Sequence, residues 1–165
     1  MGCDPGKSGA AVLIDDDGYL MDFADFMTVK VGKKNKLAIP LFANYVHDHW
    51  LYDMPRSHIP VVYIEQVGAM PKQGVTSSFD FGFSTGVAHG VFAAHGCRIE
   101  TIRPQAWKKA TGLLKTEKDA ARFWAMNKWP DRASWFKRAK DSGRADAAAM
   151  AWVGLQIENG RHNLA

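Results

Sequence analysis

Gly2-Cys3-Asp4-Pro5-Gly6-Lys7-Ser8-Gly9-Ala10-Ala11-Val12-Leu13-Ile14 opens the chain and sets its architecture. Pro5-Gly6 and a second glycine, Gly9, punctuate a turn, so residues 1–4 read as the end of a short strand. The apolar run 10–14 reads as a buried strand. Asp15-Asp16-Asp17-Gly18 supplies a hairpin turn, because Asp-Gly readily adopts the positive φ that such a turn needs. Residues 19–26 then return as a third strand. The opening is a three-stranded antiparallel meander, with Asp4 stranded at the end of its first strand.

Further along, Leu37, Leu41, Tyr45 and Trp50 fall on one side of a helix over 36–50, with Pro40 in its first turn. Val61-Val62-Tyr63-Ile64-Glu65 is short, β-rich and the most strand-like segment of the chain. A Gly- and Lys-containing stretch (68–74) leads to a helix over 77–95 rich in small residues. A fifth strand at 97–102 is stopped by Pro104. The last third is helical: a short helix at 104–111, another opening with Thr116 at its N-cap, and an Ala- and Met-rich one over 144–158. The order β-β-β-α-β-α-β-α-α predicts an α/β fold with a five-stranded mixed sheet covered by helices, all in one domain spanning 1–165.

Composition narrows the function. With 47% hydrophobic residues, the 165-residue chain has material for an ordinary core. No apolar run approaches a membrane span, and no signal-peptide pattern opens the chain. Cys3 and Cys97 sit in strand-like settings without zinc-site spacing, which predicts buried free thiols and a reducing compartment. Net charge is +4, yet the segment from Arg103 to Lys140 holds eleven Lys/Arg against Glu117, Asp119 and Asp131. A basic half beside an acidic cluster suits a polyanion held next to metal ions.

The acids are Asp4, Glu65, Asp141 and Asp146. Singly, each has an ordinary explanation: Asp4 organises a turn, Glu65 ends a strand in solvent, Asp146 complements a helix dipole. Together they differ. A mixed sheet of this order sets the first and fourth strands side by side, so Asp4 and Glu65 emerge at one end, and the final helix brings Asp146 across it, with Asp141 in the lead-in. Clustered carboxylates repel one another unless a cation is shared. Oxygen donors of this kind suit Mg2+, and a pair of ions roughly 3.5–4 Å apart suits phosphodiester hydrolysis.

At this point the residues resemble a family. The segment 2–10 is similar to the opening of RuvC-type Holliday junction resolvases. Ile64-Glu65-Gln66-Val67 resembles their second acidic motif, and Ile102-Arg103-Pro104-Gln105-Ala106-Trp107-Lys108-Lys109 with Thr111-Gly112 their basic segment. Lys140-Asp141-Ser142-Gly143-Arg144-Ala145-Asp146 resembles their last motif. The bacteriophage and plant chloroplast variants are the most similar, through the Asp-x-Gly-Arg-Ala-acid pattern and Lys72-Gln73-Gly74. The resemblance runs from residue 1 to about 155. It implies an RNase H-like fold, a homodimer, cytoplasmic location in a bacterium or phage-infected cell, and nicking of four-way DNA junctions with two Mg2+ (or Mn2+) ions by Asp4, Glu65 and Asp146, with Asp141 as the further acid of the phage and chloroplast pattern. In this family several apolar residues precede the first Gly-x-Asp, so a stub of a first strand is expected here.

For DNA contact the sequence nominates Lys7 in the Gly-rich turn, Lys72, Gln73 and Phe79 near the junction centre, and Arg103, Lys108, Lys109, Lys115 and Lys118 along the basic segment. Trp107 is a further candidate for the DNA surface, and the small-residue helix around 82–94 for a dimer contact. The histidines form no metal-ligand pattern. Three rivals stand beside this reading: a phage nuclease for flap or other branched DNA, a catalytically impaired branched-DNA binder, and an ATP-binding fragment that shares the Asp-x-Gly turn.

Overall fold

The computed structural model describes residues 1–55, 58–66, 68 and 74–160. The predicted meander forms as β1 (Gly2–Asp4), β2 (Ala10–Ile14) and β3 (Leu20–Asp25), all antiparallel. β6 (Val61–Glu65) lies parallel to β1, and β7 (Arg98–Ile102) parallel to β6, giving one five-stranded mixed sheet in the order β3-β2-β1-β6-β7. Between β3 and the first helix, β4 (Thr28–Val31) and β5 (Lys34–Leu37) make a separate two-stranded hairpin. The helix expected over 36–50 therefore starts later, at α1 (Ile39–Val46), with Pro40 in its first turn and a wider helical turn over His47–Leu51. Lys36 and Leu37 are strand residues: Val29 and Thr28 across the hairpin pair with them, a partnership that helical spacing alone did not reveal.

Period-2 alternation divides the side chains between two cores. On one face Cys3, Ala11, Ala24, Val62 and Ile64 meet α1 and α2 (Val75–Ala94), with Phe42 and Phe92 fully buried. On the other, Val12, Leu20, Tyr63 and Ile102 meet α4 (Ala120–Lys128) and α5 (Ser142–Glu158). Trp107 of α3 (Pro104–Ala110) closes that core. Both cysteines are buried free thiols. Thr116 does not cap α4; its hydroxyl bonds the Leu113 carbonyl, and the helix begins four residues later. No described helix is long and apolar enough to cross a membrane.

α5 lies almost directly on the sheet because its inner face is alanine: Ala145, Ala147, Ala148, Ala149 and Ala151 are all buried. Gly2 permits this. A Cβ there would collide with the Ala147 carbonyl and the Ala151 amide and sit 3.0 Å from the Ala151 Cα. β1 spans three residues, yet it is the central strand and is paired on both sides.

Candidate active site

Three chain segments converge on one end of the sheet. The register Cys3↔Ile64 places Asp4 beside Glu65, each the last residue of its strand. α5 begins against the turn that follows Asp4. A Cβ on Gly143 would strike the Ser8 carbonyl and stand 2.8 Å from the Gly9 Cα and 3.1 Å from Asp4 Oδ2. This contact brings the first turns of α5, and with them Asp146, to the strand ends.

The electrostatics record the convergence. Burial pushes the Asp4 carboxyl up to about 8, and the negative charges of Glu65 and Asp146 add to the shift against the opposing Lys108. Burial followed by Glu65 raises Asp146 to about 6, again against Lys108. The Cys3 thiol is pushed up by burial and by the same two acids, Asp4 and Glu65. Neither Asp4 nor Asp146 accepts a hydrogen bond from a described residue, whereas Glu65 Oε1 accepts one of 2.9 Å from Trp107 Nε1. Trp107 is thus not part of a DNA surface: it is 1% exposed and orients a carboxylate from beneath.

Asp141 is placed elsewhere. Its carboxylate is buried and gripped by Arg138, whose backbone amide donates to Oδ2 at 2.8 Å and whose guanidinium donates to Oδ1 at 2.8 Å. Arg144 stands 3.5 Å away on the other side. Burial raises the Asp141 pKa, but the Arg138 hydrogen bonds and the two positive charges outweigh it, and the carboxyl titrates below its ordinary value. Its lone pairs serve a brace at the foot of α5.

Of the DNA-contact candidates, Arg103, Lys109, Lys115 and Lys118 are exposed. Arg103 leaves β7 at the same sheet end and bonds Gln66 Oε1 at 3.3 Å. Among the described candidates Lys108 is the one whose charge acts on Asp4 and Asp146, and its ammonium lies 5.2 Å from the Trp107 ring centre. Lys7 is ion-paired with Asp80 of α2 at 2.6 Å. Phe79 is 73% exposed on the first turns of α2. Lys72 and Gln73 lie outside the described residues.

The donor chemistry fits a hard divalent cation: oxygen-only ligands, two of them without a hydrogen bond from a described residue, their ionisation held back by burial and by neighbouring carboxylates in the absence of a cation. Among the described residues no three His, Cys, Asp or Glu side chains are gathered tightly enough to hold one ion by themselves.

A pH effect follows for the metal-free protein. Below about pH 4 the Asp4 carboxyl is protonated in folded and unfolded chains alike, and folding suffers no penalty. As pH rises to about 8 the unfolded chain releases this proton while the fold retains it, so stability is lost across that window. Asp4→Asn mimics the protonated acid. Its melting temperature relative to the parent is expected to climb between pH 5 and pH 8 in EDTA, by about 5 °C once solvent screening at a partly exposed carboxylate is allowed for. A constant difference across that range in thermal melts would show that Asp4 feels no such crowding.

No protein-family model matches this chain, and no curated protein does either. Solved structures do. Thermus thermophilus RuvC in complex with a Holliday junction substrate is similar with a TM-score of 0.55 at 16% identity, covering 97% of this chain and 95% of that one. A second Thermus thermophilus RuvC structure gives 0.56 at the same identity and coverage. The antiparallel opening, the parallel β1-β6-β7 half and the flanking helices are those of the RNase H-like fold of RuvC, and this chain adopts that fold.

Proposed function

We propose that this chain is a magnesium-dependent endonuclease that nicks four-way DNA junctions, acting as a homodimer in the cytoplasm of a bacterium or phage-infected cell. The observation that carries the reading is the electrostatic coupling of Asp4, Glu65 and Asp146 at one sheet end, with Lys108 beside them and a basic segment leading away. Asp4, Glu65 and Asp146 would hold the cations, Mn2+ substituting for Mg2+; Asp141 positions α5 instead. Bound there, the metal supplies Lewis acidity and an activated water. The chain's own residues do the rest. Trp107 fixes one Glu65 oxygen, Lys108 offsets charge that gathers on the phosphate, and Arg103, Lys109, Lys115 and Lys118 track the strand backbone.

Two matched nicks need two related sites, which an isologous pair provides. α2 offers the face for it: Val75, Phe79 and Phe83 are exposed in one stripe with Gly82, Gly86 and Gly90, where an added Cβ would meet nothing.

The test compares a four-way junction, a 5′ flap and a linear duplex with Mg2+ and with EDTA. Metal-dependent cutting at least tenfold faster on the junction is expected. Faster flap cutting would move the reading to a flap nuclease, and tight junction binding without cutting to an inactive binder.

A further inference from the structure

We propose that the β4–β5 hairpin is a second nucleic-acid contact, an arm that grips duplex backbone beyond the cleavage site. The inference rests on the nuclease reading above and extends it to a part of the surface that the basic segment does not cover.

The hairpin is well defined locally. Thr28 pairs with Leu37, Val29 with Lys36, Lys30 with Asn35 and Val31 with Lys34, closed by Gly32-Lys33. Gly32 has φ +60° and Lys33 does not share a positive φ, the pattern of a II′ turn with glycine first. Every residue of β4 and the first three of β5 are exposed, and the hairpin is not hydrogen-bonded into the main sheet. Its four-residue strands reach roughly 13 Å at about 3.4 Å per residue.

Its root is beside the acids. β3 ends at Asp25, opposite Ala10, which itself pairs with Asp4. The next amide, Phe26 N–H, donates to the Gly9 carbonyl at 3.0 Å, in the turn that follows Asp4. Phe26 is buried and stacked on Phe42 at 4.3 Å, and Ala38 N–H closes the base on the Met27 carbonyl.

Its charge is unopposed. Lys30, Lys33, Lys34 and Lys36 sit in a stretch with no acid from Phe26 to Leu37, and none of them has an ion-pair partner among the described residues. These four charges equal the net charge of the whole chain, +4. By contrast, Arg122 and Arg138 of the basic segment are already committed to Asp119 and Asp141. An isolated hairpin is marginal in water, and Val29 and Val31 are 44% and 50% exposed. Lysine commonly guards a strand edge from aggregation; here the register sets Lys34 and Lys36 on one face of the hairpin with Val31 and Val29, Lys30 on the other face and Lys33 at the tip, a spread of charge that suits phosphates on either side of the arm.

The decisive variant replaces Lys30, Lys33, Lys34 and Lys36 together by Gln, which keeps length and polarity. Junction binding is followed by fluorescence anisotropy from 50 to 200 mM salt, with EDTA to prevent cutting. We expect the slope of log K against log salt to flatten by about 2–4 and affinity at 0.1 M to fall about 10–100-fold. The melting temperature should hold, and nicking at saturating enzyme should persist. Parent affinity and slope in the variant would overturn the arm, and added aggregation in that case would leave the lysines as edge guards. A parent chain that binds no branched DNA fails earlier, at the nuclease reading itself, so the two failures are distinct.

Discussion

Replacing Asp146 by Asn is expected to reduce Mg2+-dependent junction nicking about 10³-fold while leaving junction binding intact. Asn keeps the shape of the side chain and its place on α5, so neither the alanine contact with the sheet nor the fold is disturbed. What it removes is one of three coupled charges. Charge stabilisation by a divalent ion accounts for several kcal/mol of a phosphoryl-transfer barrier, and each 1.36 kcal/mol is tenfold in rate. Without metal the variant should bind the junction slightly more tightly, since a carboxylate facing the phosphates is gone. A readout apart from catalysis is the rise in melting temperature on adding Mn2+, which should shrink in Asp146→Asn. Equal cutting by variant and parent would take Asp146 out of the reaction.

The parts of this site legible in the sequence are those fixed by short-range pattern. Glu65 stands out because an acid directly after Val61-Val62-Tyr63-Ile64 ends a strand whose interior is buried on both faces. Asp4 stands out because Pro5-Gly6 forces a turn after it. Strand order follows from the meander and the crossover helix, so the adjacency of Asp4 and Glu65 was within reach of the sequence. Asp146 and Asp141 could not be separated by such means. Both lie near a loop-to-helix transition, and which one faces the sheet end depends on where the helix starts. The structure starts it at Ser142, turning Asp141 into the last residue of a preceding helical turn. A signal was present all the same: Arg138 and Arg144 flank Asp141 at minus three and plus three, the spacing at which helical neighbours pair.

Three further residues escaped because tertiary contact overrode local character. Trp107, flanked by Gln105, Lys108 and Lys109, reads as a surface aromatic, but α3 turns it inward, where its indole N–H finds Glu65. Lys36 and Leu37 fit the helical spacing of the residues after them. The alternation Val29-Lys30-Val31 before Gly32 was the competing period-2 signal, and in the folded chain it prevails.

Arg144→Met is expected to be the most destabilising single change near the site. The Arg144 guanidinium donates to both oxygens of Asp25, at 2.6 and 2.5 Å, and to the Trp135 carbonyl at 3.1 Å. It also lies 3.8 Å from the centre of the Phe23 ring. One side chain thus joins α5, β3 and the helical turn over Pro130–Phe136. Methionine keeps much of the apolar contact with Phe23 but strands Asp25, leaves a carbonyl without its donor and deprives buried Asp141 of its second cation. Breaking a buried pair costs about 3–5 kcal/mol. Asp25 is 46% exposed and recovers part of its hydration, so about 2–4 kcal/mol is the better figure, a fall of about 10 °C in melting temperature. Arg144→Lys should rescue little, because an ammonium cannot span both Asp25 oxygens and still reach the carbonyl. The first turn of α5 carries Gly143 against Ser8 and Gly9, and Asp146 follows three residues further on. Nicking below the new melting point should therefore slow by more than junction affinity declines. A variant that melts like the parent, or that loses affinity and rate in equal measure, would show that the brace does not position Asp146.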